Sequence, residues 1–177
     1  MYSVSAADTL KFVTGSYIPV KTLTSDDGTT QWDVQQAASN AAIEIIDVTA
    51  NGSSYAYRAN TFSSITNSSV LVLDGSASGV DDAYTGSALY IASGLGAGQL
   101  ANVTNYVGST KTITVSPGYS ITPNTESGYH VGPKIIVDGD GTGATAYANV
   151  LSGQVTTINM INTGSGYTRA NVVVSGT

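Results

Sequence analysis

The sequence predicts a mainly β protein, built from small antiparallel β-sandwich or barrel modules with a short helix near the N-terminus. Three observations carry this expectation. Charged residues make up only 10% of the chain, against roughly 25% in an average soluble domain, and Ser, Thr, Asn and Gly supply the polarity instead. Apolar residues gather in short runs rich in β-branched side chains and tyrosine, which suit a pleated surface. Gly, Asn, Asp and Ser separate those runs, as tight turns require. With 177 residues, 41% of them apolar, the chain is long enough to bury a core in one ordinary domain or two small ones.

Helical signals are confined to the first segment. Ser5 is placed to cap a short helix over Ala6–Phe12, because its hydroxyl can accept from a free N–H of the first turn. Asp8 falls in that turn, where the helix dipole favours a carboxylate. Tyr17–Val20 reads as extended, since Pro19 biases Ile18 away from the helical region. Trp32–Ala38 reads as a second short helix. From Ala42 onward the chain reads as strands: Ile43–Val48, Val70–Leu73, Ala88–Ile91, Leu100–Tyr106, Thr112–Val115, Lys134–Val137, Ala144–Val150, Val155–Ile161 and Asn171–Val174. Thr112–Val115 alternates polar and apolar, as a half-buried strand does.

The chain also repeats itself. Ile43–Tyr55 lies over Val155–Tyr167 without a gap, matching Ile46 to Ile158, Gly52 to Gly164, Ser53 to Ser165 and Tyr55 to Tyr167. A third Ser-Gly-Tyr stands at Ser127–Tyr129. The shared unit is an apolar strand, a glycine-bearing turn, a tyrosine and another strand. The tyrosine is expected to lay its ring over the turn and send its hydroxyl to solvent. Three segments follow: 1–65, leading into a first β unit; 66–132, an inserted β module; and 133–177, a Gly-Ser-Gly-Tyr repeat. Met1–Val4 reads as a strand already under way, and Asn171–Gly176 copies Lys134–Gly139 without its continuation. Both ends therefore read as cut from a longer protein.

Composition removes several function classes. A formal charge of −6 with six Lys and Arg scattered along the chain leaves nothing to neutralise phosphates, so nucleic acid is not an expected partner. The same scarcity leaves no polybasic membrane patch, and no apolar run approaches the length of a bilayer span. Without cysteine there is no disulfide, thiolate metal site or Cys nucleophile.

Three stretches resemble known families. Residues 1–40, through Met1–Thr14, Tyr17–Lys21 and Gln31–Val34, are similar to an internal segment of the T4-like phage baseplate wedge subunit encoded by gene eight, in its marine form. Residues 134–177, through Ile135–Ala146 and Asn162–Thr168, resemble a repeat widespread in phage structural proteins. Residues 84–131, through Ile91–Gln99, Thr104–Gly108, Lys111–Pro117 and Tyr129, resemble another virion module. The wedge resemblance implies a non-catalytic β-sandwich protein that dimerises and contacts other baseplate and tail proteins. It implies a place in the virion after synthesis in the bacterial cytoplasm. It supplies no site residues, because the family has no catalytic motif to match.

Chemical candidates are each weighed against a plainer reading. Asp138 and Asp140, in the run Asp138–Gly143, resemble the start of a calcium loop. The twelfth position, however, holds Asn149 rather than a bidentate carboxylate, so a glycine-rich turn is favoured. Gly94–Gly98 has Gln99 where a dinucleotide fingerprint needs glycine, and a strand follows instead of a helix, so no cofactor is expected. His130, the single histidine, reads as strand filler between Tyr129 and Val131. Asp26-Asp27 and Asp81-Asp82 read as solvated turn residues, since neighbours on a strand cannot converge on one cleft. The expectation is a non-enzymatic structural subunit. A host-attachment module that binds surface glycans through some of its 11 tyrosines is the alternative.

Overall fold

A computed structural model describes residues 9–14, 16–17, 34–35, 42–47 and 53–176. The protein is mainly β, built of antiparallel sheets. It divides into two compact units, one of 1–54 with 135–175 and one of 55–134 with 176–177.

Among the described residues, the first unit is an eight-stranded sheet. Its early strands are β1 (Thr9–Thr14), β2 (Ser16–Tyr17), β3 (Val34–Gln35) and β4 (Ala42–Asp47). Of the expected N-terminal helix, Ser5–Asp8 lie outside the described residues, and Thr9–Phe12 belong to a strand. There, pairing of β1 with β4 outweighs the weak helical preference of a single turn. The second expected helix meets the same outcome where it can be followed, at β3; its other residues lie outside the described ones. Within β4, a register shift opposite Lys11 and Phe12 leaves Glu44 as an extra residue, so Ile43 and Ile46 are both buried although three positions apart.

The other seven strands make the second unit. They are β5 (Arg58–Thr61), β6 (Ser64–Ile65), β7 (Val70–Val72), β8 (Ala88–Ser93), β9 (Leu100–Val107), β10 (Thr112–Ser116) and β11 (Gly128–Gly132). Their order in the sheet is β5-β11-β8-β9-β10-β7-β6. This unit begins at Tyr55 rather than at residue 66, because β5 and β6 pair with β11 and β7 of the same sheet. Leu89 and Ile91, Ala101 and Val103, Ile113 and Val115, and Tyr129 and Val131 all turn inward at period two. Tyr106 breaks that period and is still buried. A bulge makes Thr104 the extra residue between the pairs Val115–Val103 and Thr114–Asn105, which resets the phase so that Tyr106 also faces the core.

The chain then returns to the first unit through β12 (Lys134–Gly139), β13 (Thr142–Leu151), β14 (Gln154–Ser165) and β15 (Arg169–Ser175). Strands β13 and β14 form a long hairpin whose inner face is small, with Ala146, Ala148 and Val150 buried. Strand β14 also pairs with β4 through Ile158 and Ile46, the two residues that the internal repeat makes equivalent. The duplicated strands thus meet antiparallel at corresponding positions, in a local two-fold arrangement. Tyr167 lies over its own turn and over the β12–β13 turn: a Cβ on Gly164 would come within 2.9 Å of its ring, and one on Gly141 within 2.4 Å. The expected solvent-directed hydroxyl is not found. Tyr167 is buried, and its oxygen accepts from the Ala144 N–H at 3.3 Å, because an enclosed turn offers the phenol a nearer partner than water.

Candidate functional site

In the 55–134 unit, most polar chemistry is directed at holding loops onto strands. Asp74 follows β7 and accepts from Arg58 through both oxygens, with Nε to Oδ2 at 2.8 Å and Nη2 to Oδ1. The Tyr129 hydroxyl donates to Oδ2 at 2.6 Å, and the Ser76 N–H to Oδ1 at 3.0 Å. The Arg58 guanidinium, first of all, and then the phenol and the amide hold this carboxylate well below the usual range, against the opposing effect of burial. Burial, and then the Asp74 hydrogen bond, push the Tyr129 phenol far above its ordinary value.

A second set of bonds fixes the loop between β7 and β8. The Tyr106 hydroxyl donates to Ser78 O at 2.6 Å, Lys111 Nζ donates to the same oxygen at 3.0 Å, and the Ser78 N–H donates to the Tyr84 hydroxyl at 3.1 Å. Burial raises the Tyr106 phenol to about 12, aided by negative charge on neighbouring groups. Asp81 accepts from the Gly108 N–H and Asp82 from the Thr85 hydroxyl, so the two neighbouring carboxylates serve separate turns. Val80 stands at this loop with 68% of its surface exposed.

The third set joins the β8–β9 and β10–β11 loops. Gln99 uses its amide fully: Nε2 donates to Gly96 O and Ile121 O, while Oε1 accepts from the Ser120 hydroxyl and the Ile121 N–H. The buried Ser127 hydroxyl donates to Leu95 O at 2.8 Å. Gly94, Gly96 and Gly98 all have positive φ, the backbone requirement that explains their alternation in Gly94–Gly98. The clamp has a consequence at the surface. Leu95 is 51% exposed and Ile121 53% exposed, and Gln99 ties the loops that carry them. A depression of about 280 Å³ lies at the clamp, lined by Gln99, Leu100, Pro117, Gly118, Tyr119 and Ser120.

The candidates read from sequence are placed separately. Asp140 accepts from the Thr168 hydroxyl and from the N–H groups of Arg169 and Thr168 at 3.0 and 2.9 Å, which in that order lower its carboxyl to about 2. Both oxygens thus bind the start of β15, while Asp138 lies exposed on β12. Among the described residues, no group of three or more His, Cys, Asp or Glu is placed to hold a metal ion. His130 accepts or donates through Nδ1 to the Tyr57 hydroxyl at 2.8 Å. Asp26 and Asp27 lie outside the described residues. Six tyrosines, Tyr55, Tyr84, Tyr106, Tyr119, Tyr129 and Tyr167, are buried, so they contribute to cores rather than to a contact surface. The exposed pair Leu95 and Ile121 escaped sequence reading because nothing local distinguishes them; the glutamine that aligns them acts across a long chain separation.

The fold and these surfaces define a mainly β chain of two antiparallel units with rigidly tied loops. No family model, curated protein or solved structure matches it.

Proposed function

We propose that this chain is a structural element of a tailed-phage baseplate or tail that works through protein–protein contacts. The observation that carries the reading is the pair Leu95 and Ile121, held exposed on loops that Gln99 has already ordered. An apolar contact made by preordered loops costs little conformational entropy on association, which favours assembly over a free monomer. Fully burying an aliphatic side chain of this size contributes about 1.5–3 kcal/mol, and each of these begins roughly half exposed. The resemblance of residues 1–40 to a baseplate wedge segment, and of the later modules to virion repeats, supplies the partners: other baseplate and tail proteins, with a second copy of the chain among them. The low charge is consistent with surfaces meant to be covered.

Mass spectrometry of purified particles tests the reading. Peptides of this chain are expected in tailed particles and absent from tail-less heads. Replacing both Leu95 and Ile121 by Asp is expected to lower incorporation at least tenfold while leaving thermal stability within a few degrees of wild type. Tailed particles that lack the chain would overturn the proposal.

A further inference from the structure

Among the described residues, five large apolar side chains stand well exposed: Val80, Leu95, Ile121, Ile136 and Leu151. Leu95 and Ile121 belong to the loops that Gln99 ties. Val80 is followed by Asp81 and Asp82, and Ile136 lies within β12, two residues from Asp138. Leu151 is different. It ends β13 at the tip of the long β13–β14 hairpin and is 69% exposed. From Gly141 to Thr168 the chain carries no charged residue, so the tip is neutral throughout.

The tip is built to hold its leucine still. Leu151 pairs with Gln154, so only Ser152 and Gly153 form the turn, both at positive φ (53° and 78°). Two such residues in succession make the turn whose twist matches the strands it joins. One position inside the tip, Val150 and Val155 pair and are both buried, which anchors the hairpin to its end. Side chains alternate along a strand, so Leu151 projects on the side opposite Val150. It is an apolar knob, ordered before it meets a partner.

A hole of matching character lies in the 55–134 unit, at the depression beside Gln99. Its volume of about 280 Å³ falls just below the roughly 300–1,000 Å³ of pockets that enclose drug-sized ligands, and suits a single side chain. No charged residue lines it. Its polar side chains are engaged within the unit: Gln99 at both ends of its amide, Ser120 with Gln99, and Tyr119 with Leu89 O at 2.8 Å. Leu100, Pro117 and the Tyr119 ring remain as its apolar lining. We propose that the Leu151 tip of one copy of this chain enters the depression at Gln99 of a second copy. Charge selects that occupant. Copies with a formal charge of −6 repel one another, so they meet with least opposition where both faces are neutral. Knob and hole differ, which makes the contact heterologous and joins copies into rings or files. The inference rests on reading the Gln99 surface as an assembly contact and names what it receives.

The chain contains no cysteine, so single cysteines report the contact without background. Isotope-labelled Leu151→Cys is mixed with unlabelled Ser120→Cys at about 0.1 mM in a glutathione redox buffer, and mixed dimers are measured by intact mass. Each rate is normalised to the reactivity of the two thiols toward oxidised glutathione alone. This pair is expected to crosslink at least tenfold faster than Leu151→Cys with Val80→Cys, which is exposed but flanked by carboxylates. Ile121→Cys in place of Ser120→Cys is expected to behave alike, and it carries the test should loss of the Ser120 hydroxyl disturb the loop. The proposal is overturned if neither pair crosslinks faster than the Val80→Cys pair, an outcome that assigns the depression to another protein. Such a failure leaves the chain's place in the particle untouched, since that is read from the composition of the particles.

Discussion

The carboxylate of Asp74 has 14% of its side chain exposed, yet both its oxygens are satisfied, by Arg58, Tyr129 and the amide of Ser76. Removing it leaves a guanidinium and a phenol without their acceptor, so Asp74→Ala is expected to cost about 2–3 kcal/mol in urea unfolding. The pH dependence follows from the direction of the shift. A folded-state carboxyl below its unfolded value of roughly 3.9 stabilises fully above that value, and the contribution is lost as pH falls beneath it. The urea midpoint of wild type is expected to decline below about pH 4, with a shallower decline in Asp74→Asn. Tyrosines give the opposite limb. Burial raises Tyr106 to about 12 and holds Tyr119 and Tyr129 higher still, so the stability they confer is present below pH 10 and is lost on strong alkalinisation. Absorbance at the phenolate band is expected to show these three ionising late, and together with unfolding. An early ionisation of every tyrosine near pH 10 would contradict their burial.

Elements are held in phase by residues that break the simplest pattern, which decides how far the sequence could be read. Short apolar runs between turn residues locate β4, β7, β8, β9 and β12 to β15, and clean polar–apolar alternation marks β10. That pattern misses β5, whose Arg58–Thr61 carries few β-branched residues and becomes a strand by pairing with β11, itself marked in the sequence only by the strand setting of His130 between Tyr129 and Val131. It also misses the bulges, because an extra residue such as Thr104 is defined by the opposing strand and not by its neighbours. The Gly-Ser-x-Tyr turn was legible as a turn, but the destination of its hydroxyl was not, since Ala144 is brought to Tyr167 only by the β13–β14 hairpin. Turn glycines make this testable. Gly164 has φ +65°, and a Cβ there would lie 2.5 Å from Thr142 O and 2.6 Å from Ala144 N. At Gly98, with φ +92°, a Cβ would meet nothing within 4 Å. Gly98→Ala is therefore expected to cost only the backbone strain, about 1–2 kcal/mol, and Gly164→Ala clearly more. Equal melting temperatures for the two variants would refute the packing of the Tyr167 turn.

At the scale of the molecule, the 55–134 unit contains its own hydrophobic core. The buried cluster from Phe62 to Val131 draws every member from within that unit, including Leu71, Leu89, Ile91, Ile113 and four tyrosines. The other unit is assembled from two separated stretches of chain, 1–54 and 135–175. Its closure requires β14 to find β4 across the whole intervening unit, a pairing of high loop-closure entropy. The continuous unit closes over shorter separations, even where β5 meets β11 and β7 meets β10, and its strands β9 and β10 are joined by a short turn. Residues 55–134 expressed alone are therefore expected to fold, with a dispersed amide spectrum and a single cooperative unfolding transition. In the whole chain, the amides of β8, β9 and β11 are expected to resist hydrogen exchange longer than those of β4, because β4 depends on contacts made late in the sequence. Exchange that releases β4 and β9 together would show one cooperative body, and the internal core of the inserted unit would then not be sufficient for its stability.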